Sequence, residues 1–457
     1  MNRIRGNASR SVAVRRSYSR RDFLKLGGAG LAGAALLGTS ACGGGGGGGG
    51  GGNVVFTYGA TGSEDLRTVR ELVDRFNQEN ENGITVEFQR RSEVTDEYFR
   101  SLVSDFQAGS ASMDVIVGDV VWAAEFAQNG WIEDLSSRMY SDYQPQVPDA
   151  FLEAPISSVS YQNSLWGVPW FTDVGVLYYR RDLLEEAGLG SAPSTWSGLK
   201  DIANQVMEQA DVQHGFVFQG ADYEGGVVNG AEYIWNAGAE IMLGNVTALD
   251  SDRPRSLTPN FVVLDNPNAV QGLRTERSMI TDNVAPQEVA DYTETDSNDA
   301  FRAGDAVFQR GWPFMYATFG ADDSQINQDQ VEIAPLPTEE EGQRSWSCLG
   351  GWNMYINSGS QNKDAAWEFI KFMTAAEQQR FRALEASFLP TLNSLYEDQE
   401  LLNQVPVIDR AKDIVREDAR NRPITPYYSI ISRRLASGFH SSLTGETDPE
   451  QVVQNLS

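Results

Sequence analysis

The sequence predicts an α/β protein built as two lobes. Three observations carry this reading. From Val54 onward, short apolar runs alternate with longer amphipathic ones, the pattern of strands and helices taken in turn. The second half of the chain repeats the style of the first. The 457 residues, 41% of them hydrophobic, are enough for two or three domains, yet no second linker separates them. Two lobes must then be joined by structured crossings.

Each element has its own signal. Val54–Tyr58 is a short apolar strand, and "SEDLRTVRELVDRFNQEN" places Leu66, Val69, Leu72, Val73 and Phe76 on one helical face. Ile84, Val86 and Phe88 alternate as a strand. A helix around Tyr98–Phe106 leads to the strand in "MDVIVGD". "GVLYYRRDLLEEAGL" passes from strand to helix. "STWSGLKDIANQVMEQ" opens with a Ser/Thr cap and keeps Leu199, Ile202 and Val206 together. "DAVFQRGWP", "VEIAPLP" and "NMYIN" read as further strands, and "DAAWEFIKFMT" as an amphipathic helix. Strands alternating with helices imply mostly parallel sheets, which bind ligands at the carboxyl ends of their strands.

The first 42 residues read as an address rather than a domain. "SRRDFLK" (residues 19–25) resembles the twin-arginine export signal at every position, and a Gly/Ala/Leu run follows it. Gly28–Gly33 matches GxGxxG, but a basic leader stands where a nucleotide site needs a strand, so that reading is rejected. Thr39-Ser40-Ala41-Cys42 resembles a bacterial lipobox, with Thr39 where Leu is usual. Cys42 is the expected lipid attachment point, and plain cleavage near Ala41 is the alternative. Gly43–Gly52 then forms a tether with an average span of roughly 16–19 Å.

Charge narrows the partners. Residues 43–457 carry 28 basic against 62 acidic residues, a net charge of −34. Nucleic acid and anionic lipid surfaces need clustered positive charge and are not expected to bind. Of the 36 basic residues only five are Lys, which reads as a compositional habit. With Cys42 assigned, Cys348 is left alone and reads as a small buried hydrophobe in a domain without disulfides.

Several motifs together carry a family likeness. "AGSASMDVIVGDVVWAAEFAQNGWIEDLS", "LWGVPWFTDVGVLYYRRDLLEEAGL", "GFVFQGADYEGGVVNGAEYIWNAG", "FQRGWPFMYA" and "LGGWNMYIN" resemble the family 1 extracellular solute-binding proteins of ABC importers. Among these the trehalose/maltose-binding branch is the nearest in appearance. The likeness runs from about Val54 to Ser437. It implies the type II-like periplasmic-binding-protein fold, with a ligand cleft between lobes joined by a three-segment hinge. By position, the crossings fall near Pro169–Asp173, Pro337–Gly350 and Phe388–Asn393. The lobes are then 53–170 with 348–388, and 173–340 with 392–457. The resemblance also implies a monomer that captures an oligosaccharide and docks on membrane permease subunits, without a cofactor.

A sugar presents hydroxyls that need paired donors and acceptors, and C–H faces that suit aromatic rings. Asp119 ends a strand where a ligand should sit, unless it only caps the next helix near Val121. Glu64 opens the first helix, where the helix dipole also favours an acid. In the family the segment holding Trp170, Phe171 and Asp173 lines the cleft. Tyr223 and Glu224 read as part of a glycine-rich loop, with the tyrosine as a stacking platform. Trp312 and Trp352 are the main stacking candidates, because Gly350 and Gly351 let backbone approach a ligand closely. Core packing is the alternative for both rings. Arg422 offers a donor fork to hydroxyls, or else forms a surface ion pair.

An enzyme is the rival class. A glycoside hydrolase would need two carboxylates at a defined separation, and Asp119, Asp173 and Glu224 could supply them. No G-x-S-x-G, H-E-x-x-H or Walker A motif occurs, and His214 and His440 form no recognisable metal motif. The reading is therefore a non-enzymatic sugar receptor. Sucrose, other oligosaccharides and glycerol-3-phosphate-type compounds remain as alternative ligands.

Overall fold

The computed structural model describes residues 52–60, 62–243 and 261–457. The export signal, Cys42 and all but the last residue of the glycine tether lie outside the described residues. The chain begins with β1 (Asn53–Tyr58), α1 (Gly62–Glu79), β2 (Thr85–Arg90), α2 (Thr95–Gln107) and β3 (Val115–Asp119). On α1 the expected face is buried at Val69, Leu72, Val73 and Phe76, with Leu66 half-buried. β3 is buried along its whole length, as a strand covered on both faces must be.

The chain then passes between two sheets. β4 (Val168–Val174) joins the first sheet, and β5 (Val176–Arg180), one residue later, joins the second. α3 (Trp196–Gln209) is capped by Thr195, whose Oγ1 accepts from the Gly198 amide at 3.1 Å. β6 (His214–Val217), α4 (Glu224–Asn236), α5 (Pro267–Thr281), α6 (Glu294–Arg302), β7 (Ala306–Gly311) and β8 (Val331–Ala334) follow. β9 (Ser347–Ile356) returns to the first sheet, backed by α7 (Lys363–Thr374) and α8 (Ala376–Ala386). Near the end, β10 (Ala419–Arg420) pairs with β9, and α9 (Tyr428–Thr444) packs on α4 and α5.

The first sheet has the order β10-β9-β3-β1-β2, with β4 also paired to β9, and the second has β8-β5-β7-β6. Both are mixed: most pairs of the first sheet are parallel, as expected, whereas most of the second are antiparallel, which corrects the expectation for that sheet. β1 runs parallel to β2 and β3, but β9 is antiparallel to both β3 and β4. In the second sheet only the β7–β6 pair is parallel. The physical reason is the crossing itself. β5 and β9 each arrive from the other sheet without a crossover helix to turn them around, and they run against β7 and β8, and against β3 and β4.

Candidate functional site

Asp119 stands at the carboxyl end of β3, with its backbone paired to Trp352 on β9. Its carboxylate is buried. Oδ1 accepts from the Val121 amide at 3.2 Å and from Arg422 Nη2 at 3.1 Å. The following helix begins only at Ala123, so Asp119 closes a turn rather than capping a helix at Val121. Arg422 lies between β10 and α9 with 3% of its surface exposed, so it is not a surface ion pair. Its Nη1 bonds Glu224, and Nη2 also reaches the Leu349 carbonyl at 3.4 Å.

Glu224 is the first residue of α4, the helix after β6. One guanidinium therefore bridges a carboxylate at the end of a first-sheet strand and one on the helix that follows a strand of the second sheet. Such charge-assisted bonds are stronger than neutral ones. Glu224 also accepts from Tyr428 Oη at 2.5 Å and from the Ser432 hydroxyl, both on α9. Glu125 receives the Ser429 amide at 3.1 Å and its hydroxyl at 2.9 Å. Burial pushes the Asp119 carboxyl up to about 6; Arg422 opposes the rise and Glu224 adds to it. Burial also works against the charge on Arg422, but Asp119 leads the groups that outweigh it, and the guanidinium stays protonated.

Aromatic rings stand beside this cluster. Trp352 is half-buried, edge-on to Tyr58 at 5.6 Å and Trp122 at 5.5 Å, and stacked with Tyr98 at 6.1 Å. Gly351 takes φ +114°, and a Cβ there would lie 2.5 Å from the Phe171 carbonyl oxygen. A Cβ on Gly350 would lie 2.8 Å from the Trp312 ring, so that indole rests directly on backbone. Trp312 is 7% exposed, with the Arg310 guanidinium 3.9 Å from its ring centroid. The β9–β4 register shifts between Trp352 and Asn353, the kind of irregularity that re-aims side chains near sites.

The other candidates fall in different places. Asp173 pairs through its backbone with Gly350 and is 3% exposed. Its Oδ1 has no hydrogen-bond partner among the described residues, and burial holds its carboxyl well above the usual range, against Arg310. Trp170 is 1% exposed and packs edge-on against Phe56 and Tyr58, and Phe171 lies on Phe388 at 4.5 Å. Glu64 is exposed and paired with Arg67 at 3.0 Å.

Tyr223 and Glu224 require a correction. Glu224 opens α4 and does not sit in a loop, while Tyr223 is the extended residue that precedes the helix, with its hydroxyl bonded rather than free to stack. Gly225 and Gly226 belong to the first turn because the chain folds back tightly there. A Cβ on Gly226 would lie 2.3 Å from the Ala221 carbonyl, and one on Gly225 would lie 2.1 Å from Tyr223 Oη. The Tyr223 hydroxyl donates to Glu294 at 2.5 Å. Sequence reasoning did not single out Tyr428, Ser432 or Glu125. Tyr428 lies six residues beyond Arg422 in "NRPITPYY", and that proximity was the available signal.

Cys348 is fully buried, with its thiol pushed by burial up to about 12, so it packs as a hydrophobe. No group of His, Cys, Asp and Glu among the described residues could hold a metal ion.

The chain is similar to known proteins over most of its length. Residues 59–380 match the family model described as bacterial extracellular solute-binding protein. A probable ABC transporter-binding protein of Deinococcus radiodurans is 30% identical over 385 residues, covering 82% of this chain and 85% of that one. A maltotriose-binding protein of Pyrococcus abyssi is 24% identical over 291 residues, covering 63% of this chain and 56% of its own length. Among solved structures, maltose-bound MalE3 of T. maritima superposes with a TM-score of 0.78 at 33% identity, covering 89% of this chain and 98% of that one. The fold is thus that of periplasmic binding proteins.

Proposed function

The chain belongs to the bacterial extracellular solute-binding protein family, and we propose that it captures an α-linked disaccharide such as trehalose or maltose for an ABC importer. The family is extracellular, which places the protein outside the cytoplasm. The observation that carries the ligand class is the Asp119–Arg422–Glu224 bridge between the sheets, flanked by Trp312 and Trp352. Carboxylates and a guanidinium fork suit sugar hydroxyls, and indoles beside bare backbone suit pyranose faces. The maltose and maltotriose named for two similar proteins point the same way.

In this reading Asp119, Glu224, Arg422, Trp312, Gly350, Gly351 and Trp352 form the inner site, and Asp173 completes it from β4. Trp170 and Phe171 support that wall from behind, while Tyr223 and Glu64 act at its margin. The lobes are 53–170 with 348–388, and 173–340 with 392–457. Ligand closes them by hinge rotation, and the closed monomer docks on permease subunits. Export by the twin-arginine route and a lipid on Cys42 would hold the receptor at the membrane on its glycine tether. No catalysis is assigned: Asp119 and Glu224 share one guanidinium, and the similar proteins are solute-binding proteins.

The test is a thermal-shift and calorimetric screen of trehalose, maltose, sucrose, longer oligosaccharides and glycerol phosphodiesters. A bound sugar at about 100 times its Kd should stabilise the fold by about 2.7 kcal/mol. Absence of saturable binding by any oligosaccharide would refute the reading. Steady release of monosaccharide from a bound disaccharide would make the protein a hydrolase.

A further inference from the structure

Beneath the site lies a buried ion pair that the binding chemistry does not use. Arg310 on β7 and Glu232 on α4 each expose 2% of their side chains. The bond is bidentate, Nε to Oε2 at 2.8 Å and Nη2 to Oε1 at 2.6 Å, and Arg310 Nη1 reaches Gln219 at 3.2 Å. Desolvating two charges costs several kcal/mol, so a pair of this kind is weak evidence for stability by itself. Its remaining contacts give it a second role.

Two of them converge on the passages between the sheets. Glu232 Oε1 accepts the Cys348 amide at 2.9 Å, where the chain enters β9. Gly175, the single residue between β4 and β5, lies against the pair. A Cβ there would sit 2.1 Å from Glu232 Oε1 and 2.6 Å from Arg310 Nη2. The Gly175 amide also donates to the Cys348 carbonyl at 3.1 Å, so the two passages are bonded to each other. The guanidinium itself lies 3.9 Å from the Trp312 ring centroid, and that ring rests on Gly350, two residues beyond Cys348.

We propose that Arg310 and Glu232 are positioning residues that couple the Trp312 wall of the sugar cleft to the two chain passages at Gly175 and Cys348. The sugar-dependent half of this inference rests on the oligosaccharide reading above. A ligand that presses on Trp312 displaces the guanidinium stacked on it, and the rigid bidentate bond passes that displacement to Glu232 and so to the Cys348 amide. Rotation of the lobes then alters the Trp312 pose by the same route, because coupling between sites is reciprocal.

The test is a mutant cycle in the full-length protein, read by amide hydrogen exchange without sugar. The variants are Trp312→Ala, the apolar replacement Arg310→Met/Glu232→Leu, and their combination. Apolar replacement of a buried pair is often neutral for stability, so the fold should survive. Either change alone should speed exchange at Cys348 and Gly175 by about tenfold, while the combination adds little more. Amides of β1 and β2 should be unaffected.

With maltose, Trp312→Ala should weaken binding in both backgrounds, because the ring itself faces the sugar, but by a factor about threefold smaller in the pair-free one. Additive effects on exchange, or unchanged exchange at Cys348 in the pair-free protein, would overturn the proposal. If the native protein binds no oligosaccharide, the functional reading fails, while the sugar-free exchange cycle still decides the coupling.

Discussion

Arg382 and Arg422 are both buried guanidiniums that meet an aspartate, yet they belong to different kinds of structure. Arg382, on α8, pairs with Asp65 of α1, and Tyr58 Oη donates to the same carboxylate at 2.7 Å. Its flat face lies 3.9 Å from the Trp170 ring centroid, 4.2 Å from that of Phe388 and 4.5 Å from that of Phe171. These partners belong to the layers around the first sheet. Arg422 is shared instead between Asp119 of the first sheet and Glu224, beyond a strand of the second. A cation enclosed by rings and one carboxylate holds a core together. A cation divided between two sheets can exchange those partners for hydroxyls when the sheets move apart.

The largest expected effect breaks the first cluster. Arg382→Met should cost about 3–5 kcal/mol in urea unfolding, because Asp65 loses its buried cation. Maltose affinity of the folded fraction should change less than about twofold; a large loss would erase the distinction between the clusters. Next, Trp352→Ala and Trp312→Ala should each weaken sugar binding by about 1–3 kcal/mol by calorimetry. Unchanged affinity with a lowered melting temperature would assign both rings to the core.

A smaller effect concerns pH. The Asp119 carboxyl is raised to about 6, so the folded protein favours its neutral form more than the unfolded chain does. Its contribution to stability is complete below the ordinary carboxylate value and is lost as pH rises through 6. Sugar binding should follow the opposite course if the ionised form accepts hydroxyls. Affinity should then rise as pH increases from 5 to 7, and Asp119→Asn should flatten that rise. The smallest effect belongs to Glu64. Its exposed pair with Arg67 predicts that Glu64→Ala shifts stability by no more than about 0.5 kcal/mol. Affinity should fall less than about threefold, since margin contacts carry little binding energy.

What the sequence made legible was local. The face of α1 followed from spacing alone, since Val69, Leu72, Val73 and Phe76 repeat at helical intervals and are buried. Thr195 announced its helix because a cap is a contact within one turn. Strand direction was not legible, because the direction in which β9 enters depends on a passage between sheets more than a hundred residues from β3. Burial of Trp170 depends on Arg382, and Arg310 meets Glu232 from 78 residues away, so neither pairing has a local signature. The start of α4 was hidden for another reason. Gly225 and Gly226 argue for a loop by propensity, and only the close approach of Ala221 and Tyr223 shows why a helix needs them there.

A crystal structure with bound maltose decides whether the Arg422 bridge holds the sugar. A pyranose face should lie against Trp312 or Trp352, with hydroxyls on Asp119, Glu224 and Arg422. The sugar instead in the cavity of about 670 Å³ lined by Tyr143, Lys371, Asn393 and Arg416, with the Arg422 bridge undisturbed, would contradict that placement.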